Sequence, residues 1–120
     1  MGDYKDLIVY QKAYHLAMDI FEESKKFPPE EKFSLTIQIR KSSRSVCANL
    51  AEAYRKRRYE AHFVSKLSDS ETENSETEVW LNFSKDCKYL AQEKYSDFLL
   101  RNTEVGKMLW NMINNPDKFR

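Results

Sequence analysis

Residues Gln38–Arg58 read QIRKSSRSVCANLAEAYRKRR, a stretch without Gly or Pro whose residue types sort by helical angle. At about 100° per residue, Leu35, Ile39, Ser43, Val46, Leu50 and Tyr54 share one face. Gln38, Ser42, Ser45, Asn49, Glu52 and Lys56 form a second, wholly polar stripe. Arg40, Arg44, Arg55 and Arg58 fall on a third, with Ala51 among them. An ordinary surface helix needs one apolar face and one solvated face. A separate stripe of small polar residues predicts a second packed contact, unless the face is simply solvated. Gln38, Ser42, Ser45, Asn49 and Glu52 are therefore the candidate subunit contact.

Working outward, Val9, Tyr10, Ala13, Tyr14, Leu16, Ala17, Ile20 and Phe21 give a first helix over about 6–26 a broad apolar face. Asp6 is its expected N-cap. Pro28-Pro29 ends that segment, because the residue before a proline avoids the helical region. Glu30 and Glu31 favour a new helix start, predicting a second helix over about 30–56. Between Pro29 and Gly106 there is neither Pro nor Gly. The hydrophobic phase fails across Arg55–His62, which places a break near Lys56–Tyr59. A third helix is expected over about 60–91. Its middle, Ser68–Glu78, holds no apolar residue, yet Ser70, Asn74 and Thr77 continue the 3-and-4 spacing from Leu67 to Leu81. Phe98, Leu99, Asn102, Val105, Leu109, Met112 and Ile113 mark a fourth helix over about 95–114. Gly106 inside it costs about 1 kcal/mol relative to Ala, and a close crossing is the expected reason. Short connections predict an all-α, up-down-up-down antiparallel four-helix bundle, one domain spanning 1–120.

Several of these segments also carry a resemblance. Asp6-Leu7-x-Val9-Tyr10-Gln11-Lys12-Ala13, Phe27-Pro28-x-x-Glu31, Gln38-x-Arg40-Lys41, Ser45-Val46-x-x-Asn49-Leu50-Ala51-Glu52 and Ser75-Glu76-x-x-x-Trp80-Leu81 resemble the signature of a bacterial four-helix-bundle family. Its members are encoded in intervening sequences of 23S ribosomal RNA genes and as free-standing genes. The family is similar to the accessory protein of diversity-generating retroelements, and that likeness implies a homopentamer with a basic surface. Two positions depart from the family pattern: Cys47 stands where Pro is usual, and Ala53 where Gly is usual. Both replacements favour helix.

Charge and chemistry narrow the function. The formal net charge is +1, but residues 30–67 hold nine Lys/Arg against four Asp/Glu, and residues 68–93 hold two against seven. Adjacent segments of +5 and −5 usually pair with each other first. A hairpin turning near residue 58 would put Arg40 opposite Glu76, and Arg44 opposite Glu73 or Asp69. These make either exposed ion pairs or, preferably, a partly buried network that fixes register. Cys47, Cys87, His15 and His62 show no metal-ligand spacing, and no nucleophile or phosphate-loop motif occurs, so neither a metal, a cofactor nor catalysis is expected. The isolated cysteines fit a reducing cytoplasm, and no apolar run has the length of a membrane span. Arg55-Lys56-Arg57-Arg58, with Tyr59 beside it as a stacking platform, is the nucleic-acid candidate. The competing reading is cationic capping of a helix C-terminus plus solubility. The chain thus reads as a homo-oligomeric scaffold that engages itself or a protein partner. The alternative is a module that binds RNA or DNA.

Overall fold

A computed structural model describes residues 2–120. Four helices carry the fold: α1 (Ile8–Ser24), α2 (Leu35–Arg55), α3 (Glu60–Asp86) and α4 (Gln92–Asn114). Short 3-10 turns occupy Tyr4–Asp6, Pro29–Glu31 and Pro116–Lys118, and there is no strand among the described residues. Each helix packs on its sequence neighbour and α4 closes against α1, giving the antiparallel four-helix bundle, 44 Å long.

The helix ends differ from the expected ones for local reasons. Asp3 and Asp6 form a capping box around the Tyr4–Asp6 turn, in which Asp3 is the N-cap and Asp6 the third residue; Asp6 is therefore not the N-cap of α1, and Leu7 precedes α1 without a side-chain cap. Pro29–Glu31 closes as a 3-10 turn, which delays α2 to Leu35. Glu31 then reaches forward: it accepts from the Leu35 amide at 3.3 Å and from the Ser34 hydroxyl. Tyr89 donates to its other oxygen at 2.9 Å. These bonds, Ser34 first, hold the Glu31 carboxyl below its usual range. The same bond to Glu31 pushes the Tyr89 phenol up to about 12. At the far end of α3, Tyr89 N–H donates to Ser84 O and Lys88 N–H to Lys85 O, the paired bonds of a Schellman close. Lys88 takes the left-handed conformation there, with φ 65°. A lysine in that position terminates the helix as glycine ordinarily does, at some conformational cost. α3 therefore stops at Asp86, and Leu90 is left free to bury beside Phe27 and Phe98.

The interior is two apolar clusters divided by a polar layer. Val46, Leu50, Phe63, Leu67, Val105 and Leu109 lead the cluster at the α2–α3 turn end. Leu16, Ile20, Ile39, Leu81 and Phe98 lead the other. Between them α3 presents Ser70, Asn74 and Thr77, all buried. Thr77 donates to the Ser42 hydroxyl at 2.9 Å, and Ser70 donates to Val46 O at 2.8 Å, tying α3 to α2. On its other side Asn74 Nδ2 donates to Asn102 O and Oδ1, and Asn102 Nδ2 donates back to Asn74 O, all at 3.0 Å. The apolar-free run thus remains helical because its small polar side chains find partners inside the bundle.

Gly106 explains itself here. A Cβ at that position would lie 2.6 Å from Asn74 Oδ1, closer than any real contact. An exposed helical Gly→Ala change would stabilise by about 1 kcal/mol. Gly106→Ala is instead expected to destabilise by about 1–3 kcal/mol, the usual cost of overpacking. Urea denaturation, with an unchanged m-value, measures the sign.

Glu31 yields a pH prediction. Its folded pKa lies below the ordinary 4.5, so its contribution is present above that value and is lost as pH falls through the folded pKa. Glu31→Gln should lower the melting temperature at pH 7. The gap between variant and wild type should close as pH falls below the ordinary 4.5 and the wild-type carboxylate protonates.

Candidate nucleic-acid and subunit surfaces

The basic cluster sits where α2 ends and α3 begins. Arg57 turns back on its own helix: Nη1 donates to Tyr54 O at 2.7 Å, and the guanidinium stacks 4.0 Å from the Tyr54 ring centroid. It satisfies a terminal carbonyl and complements the negative end of the α2 dipole. Arg55 lies over the Tyr4 ring, while Lys56, Arg58 and Tyr59 are exposed. The four cations therefore divide, with Arg57 committed to capping and Arg55, Lys56 and Arg58 free to meet a ligand.

Arg120, far away in sequence, completes this end. Its Nε donates to Arg57 O at 2.9 Å and its Nη2 to Arg58 O at 3.1 Å. Nη1 pairs with Glu60 and Asp117. Arg55, Arg57, Arg58, Tyr59 and Arg120 line one open hollow of about 670 Å³. Composition near residue 58 gives no hint of Arg120. It arrives only because the Pro116–Lys118 turn folds the chain back onto α3.

The expected Arg40–Glu76 and Arg44–Glu73 network does not form. Arg40 Nε donates to Ser24 Oγ at 2.7 Å, and both Arg40 and Arg44 stack on the Phe21 ring of α1. The hairpin register is close to the expected one, since Ser42 lies opposite Thr77 and Glu52 opposite Lys66. The side is different: α3 meets the polar stripe of α2, and the arginine stripe turns toward α1. Glu73 and Glu76 are left beside each other. Burial, then the Glu76 charge, pushes the Glu73 carboxyl up, and Lys41 partly opposes this.

The polar stripe is correspondingly redistributed. Ser42 is buried in the α2–α3 seam and is thus removed from any subunit contact in this conformation. Glu52 pairs with Lys66 at 2.9 Å across the same seam. Asn49 bonds back to Ser45 O, and Gln38 and Ser45 remain at the seam's outer edge. The second packed contact that the stripe required is, at Ser42, an intramolecular one.

What remains unpartnered is the outer face of α2. Phe33 is 83% exposed and Ile37 47% exposed, and with Arg40, Lys41, Arg44 and Ala48 they line an open groove. A second groove lies between α1 and α2, walled by Tyr10, Tyr14 and Met18, with Cys47 at its base. Burial pushes the Cys47 thiol up to about 12, so it stays protonated. Cys87 is exposed and no disulfide joins the two. Among the described residues no group of three or more His, Cys, Asp or Glu is placed to hold a metal ion. No helix is long and apolar enough to cross a membrane.

The family model described as 23S rRNA-intervening sequence protein matches residues 5–111. The chain belongs to that family. No curated protein matches it. Among solved structures it is similar to a protein with unknown function from the S23 ribosomal protein family of Bacteroides thetaiotaomicron VPI-5482. Identity is 31%, the TM-score is 0.81, and the match covers 89% of this chain and 96% of that one. Cys47 and Ala53 are both buried in the core cluster, and α2 runs unbroken from Leu35 to Arg55.

Proposed function

We propose that this member of the 23S rRNA-intervening sequence family is a non-enzymatic helical scaffold that works as a homo-oligomer, with a pentamer favoured. The observation that carries this reading is the outer face of α2. Phe33 and Ile37 stand in solvent along one groove, and Met18 and Tyr14 are exposed on the adjoining flank of α1. Grouped apolar exposure rimmed by polar residues is characteristic of a protein contact, whereas scattered exposed hydrophobics are ordinary. The resemblance to the pentameric accessory protein of diversity-generating retroelements supports the stoichiometry. Sedimentation equilibrium at micromolar concentration should give a multiple of the 14.3 kDa chain mass, five-fold on this reading. A 14.3 kDa species alone would overturn it.

The hollow at the α2–α3 turn favours a second reading, a contact with RNA or DNA. Arg55, Lys56 and Arg58 are the phosphate-binding candidates, Tyr59 the stacking platform, and Arg57 and Arg120 the residues that shape the turn. Each phosphate neutralised contributes about 0.7 to the salt slope on a single strand. Changing Arg55, Lys56 and Arg58 to Ser should therefore flatten the slope by roughly 2 in filter binding across a salt series. An unchanged slope leaves the cluster a capping and solubility device.

A further inference from the structure

We infer that the cationic groove on the outer face of α2 receives the acidic outer face of α3 from a second copy of this chain. The inference rests on the homo-oligomer reading and specifies its contact. Four cations surround the groove: Lys32, Arg40, Lys41 and Arg44. None of them forms an ion pair within the chain among the described residues; Arg40 and Arg44 spend their planes on Phe21, and Lys32 lies over Phe33. The groove also carries the exposed Phe33 and Ile37 and the small Ala48.

The complementary surface lies on α3. Glu73 and Glu76 stand side by side on the flank that borders α2; neither is in an ion pair among the described residues, and Lys41 of the groove acts on Glu73 only as an opposing charge at a distance. At about 100° per residue, Val79 and Phe83 fall on the same outer flank of α3 as Glu76. Both are exposed, at 44% and 53%. One face thus offers cations around an apolar floor, and the other offers carboxylates beside apolar side chains. Burying one against the other removes apolar area from water and neutralises charges that the single chain leaves unpaired.

Charge also constrains the symmetry. A two-fold axis through the α2 groove would set it against its own copy, bringing Lys32, Lys41 and Arg44 of both together. Like charges across an interface disfavour such an arrangement. Made once per pair of chains, the contact of groove with acidic face is heterologous, which forms a ring if the rotation closes and a filament if it does not. The internal register favours closure. Ser42 is level with Thr77 and Val46 with Ser70, so groove and acidic face stand at the same height along the bundle. Rotation about an axis parallel to the helices carries one onto the other without translation.

The test is sedimentation equilibrium on four proteins, with circular dichroism to confirm the helical fold of each. They are wild type, Lys32→Glu with Arg44→Glu, Glu73→Lys with Glu76→Lys, and the chain carrying all four changes. Each pair alone should weaken association at least tenfold. The four-change chain, with both faces reversed, should reassemble. Phe33→Ser should also weaken assembly while leaving the helical circular dichroism of the chain unchanged, because its side chain is in solvent in the single chain. An oligomeric wild type with folded pair variants of the same mass overturns this contact and leaves the homo-oligomer reading standing. A four-change chain that folds but stays dissociated overturns the contact equally. A monomeric wild type overturns both.

Discussion

Asn74 and Asn102 exchange three hydrogen bonds across the middle of the bundle, and the remaining packing is arranged so that this exchange is complete. A buried amide without partners costs about 1–3 kcal/mol, and a half-satisfied polar network is worse than an apolar core. Completing the pair requires α3 and α4 to approach until a Cβ on Gly106 would collide with Asn74. The pair, the glycine and the small residues Ser70 and Thr77 therefore form one constraint. It separates two apolar clusters, neither of which specifies an axial position by itself. Apolar contacts tolerate sliding by a helical turn; directional bonds between particular amides do not. Register, more than gross stability, is what such a layer supplies.

The second consequence runs through α2. Once α3 is held at Ser42 and Val46 by the Thr77 and Ser70 hydroxyls, the helical phase of α2 is fixed, and so is the direction of everything else on it. Arg40 and Arg44 turn to α1 and stack on Phe21. Ile37, Lys41 and Ala48 turn outward. The segments of opposite charge then stay largely unmixed. Glu52–Lys66 crosses the seam at 2.9 Å, but Glu73 and Glu76 meet each other, with Lys41 partly opposing their charge. A net charge of +1 conceals two surfaces that do not cancel within the chain.

The parts of this arrangement that were legible beforehand are those encoded along single helices. Pro28-Pro29 marks the end of α1, the loss of phase near Arg55–His62 marks the α2–α3 turn, and Ser70, Asn74 and Thr77 keep the helical spacing through an apolar-free run. Even the reason for Gly106 follows from its placement within an apolar periodicity. The side on which Arg40 and Arg44 lie was not legible. The periodicity of α2 marks one polar flank and one basic flank, and which flank meets α3 depends on the handedness of the bundle, a property of no single helix. Contacts made by residues outside the helices were invisible for a related reason. Glu31 is held by Tyr89 from the α3–α4 connection, and the α2–α3 turn is held by Arg120 from beyond α4. Neither partner sits at a spacing from which a pattern could be read. The polar stripe falls between these cases: it is visible along α2 as a separate face, but that Ser42 is spent inside the molecule on Thr77 is not.

The two candidate surfaces lie in different places, and this bears on how they could act together. The groove on α2 runs from Lys32 to Ala48, in the half of the bundle remote from the α2–α3 turn, while the basic hollow gathers at that turn. A lateral contact through the groove leaves the hollow uncovered. In a cyclic assembly every subunit has the same orientation along the axis, so all copies of the α2–α3 turn share one rim. Arg55, Lys56 and Arg58 would then recur around that rim, and weak phosphate contacts at each copy would sum through effective concentration. The scaffold and nucleic-acid readings are in that sense ordered: assembly through α2 would convert a modest cluster on one chain into a multivalent basic surface. A monomer would have to bind through three free cations alone, each of which contributes a single salt-sensitive contact.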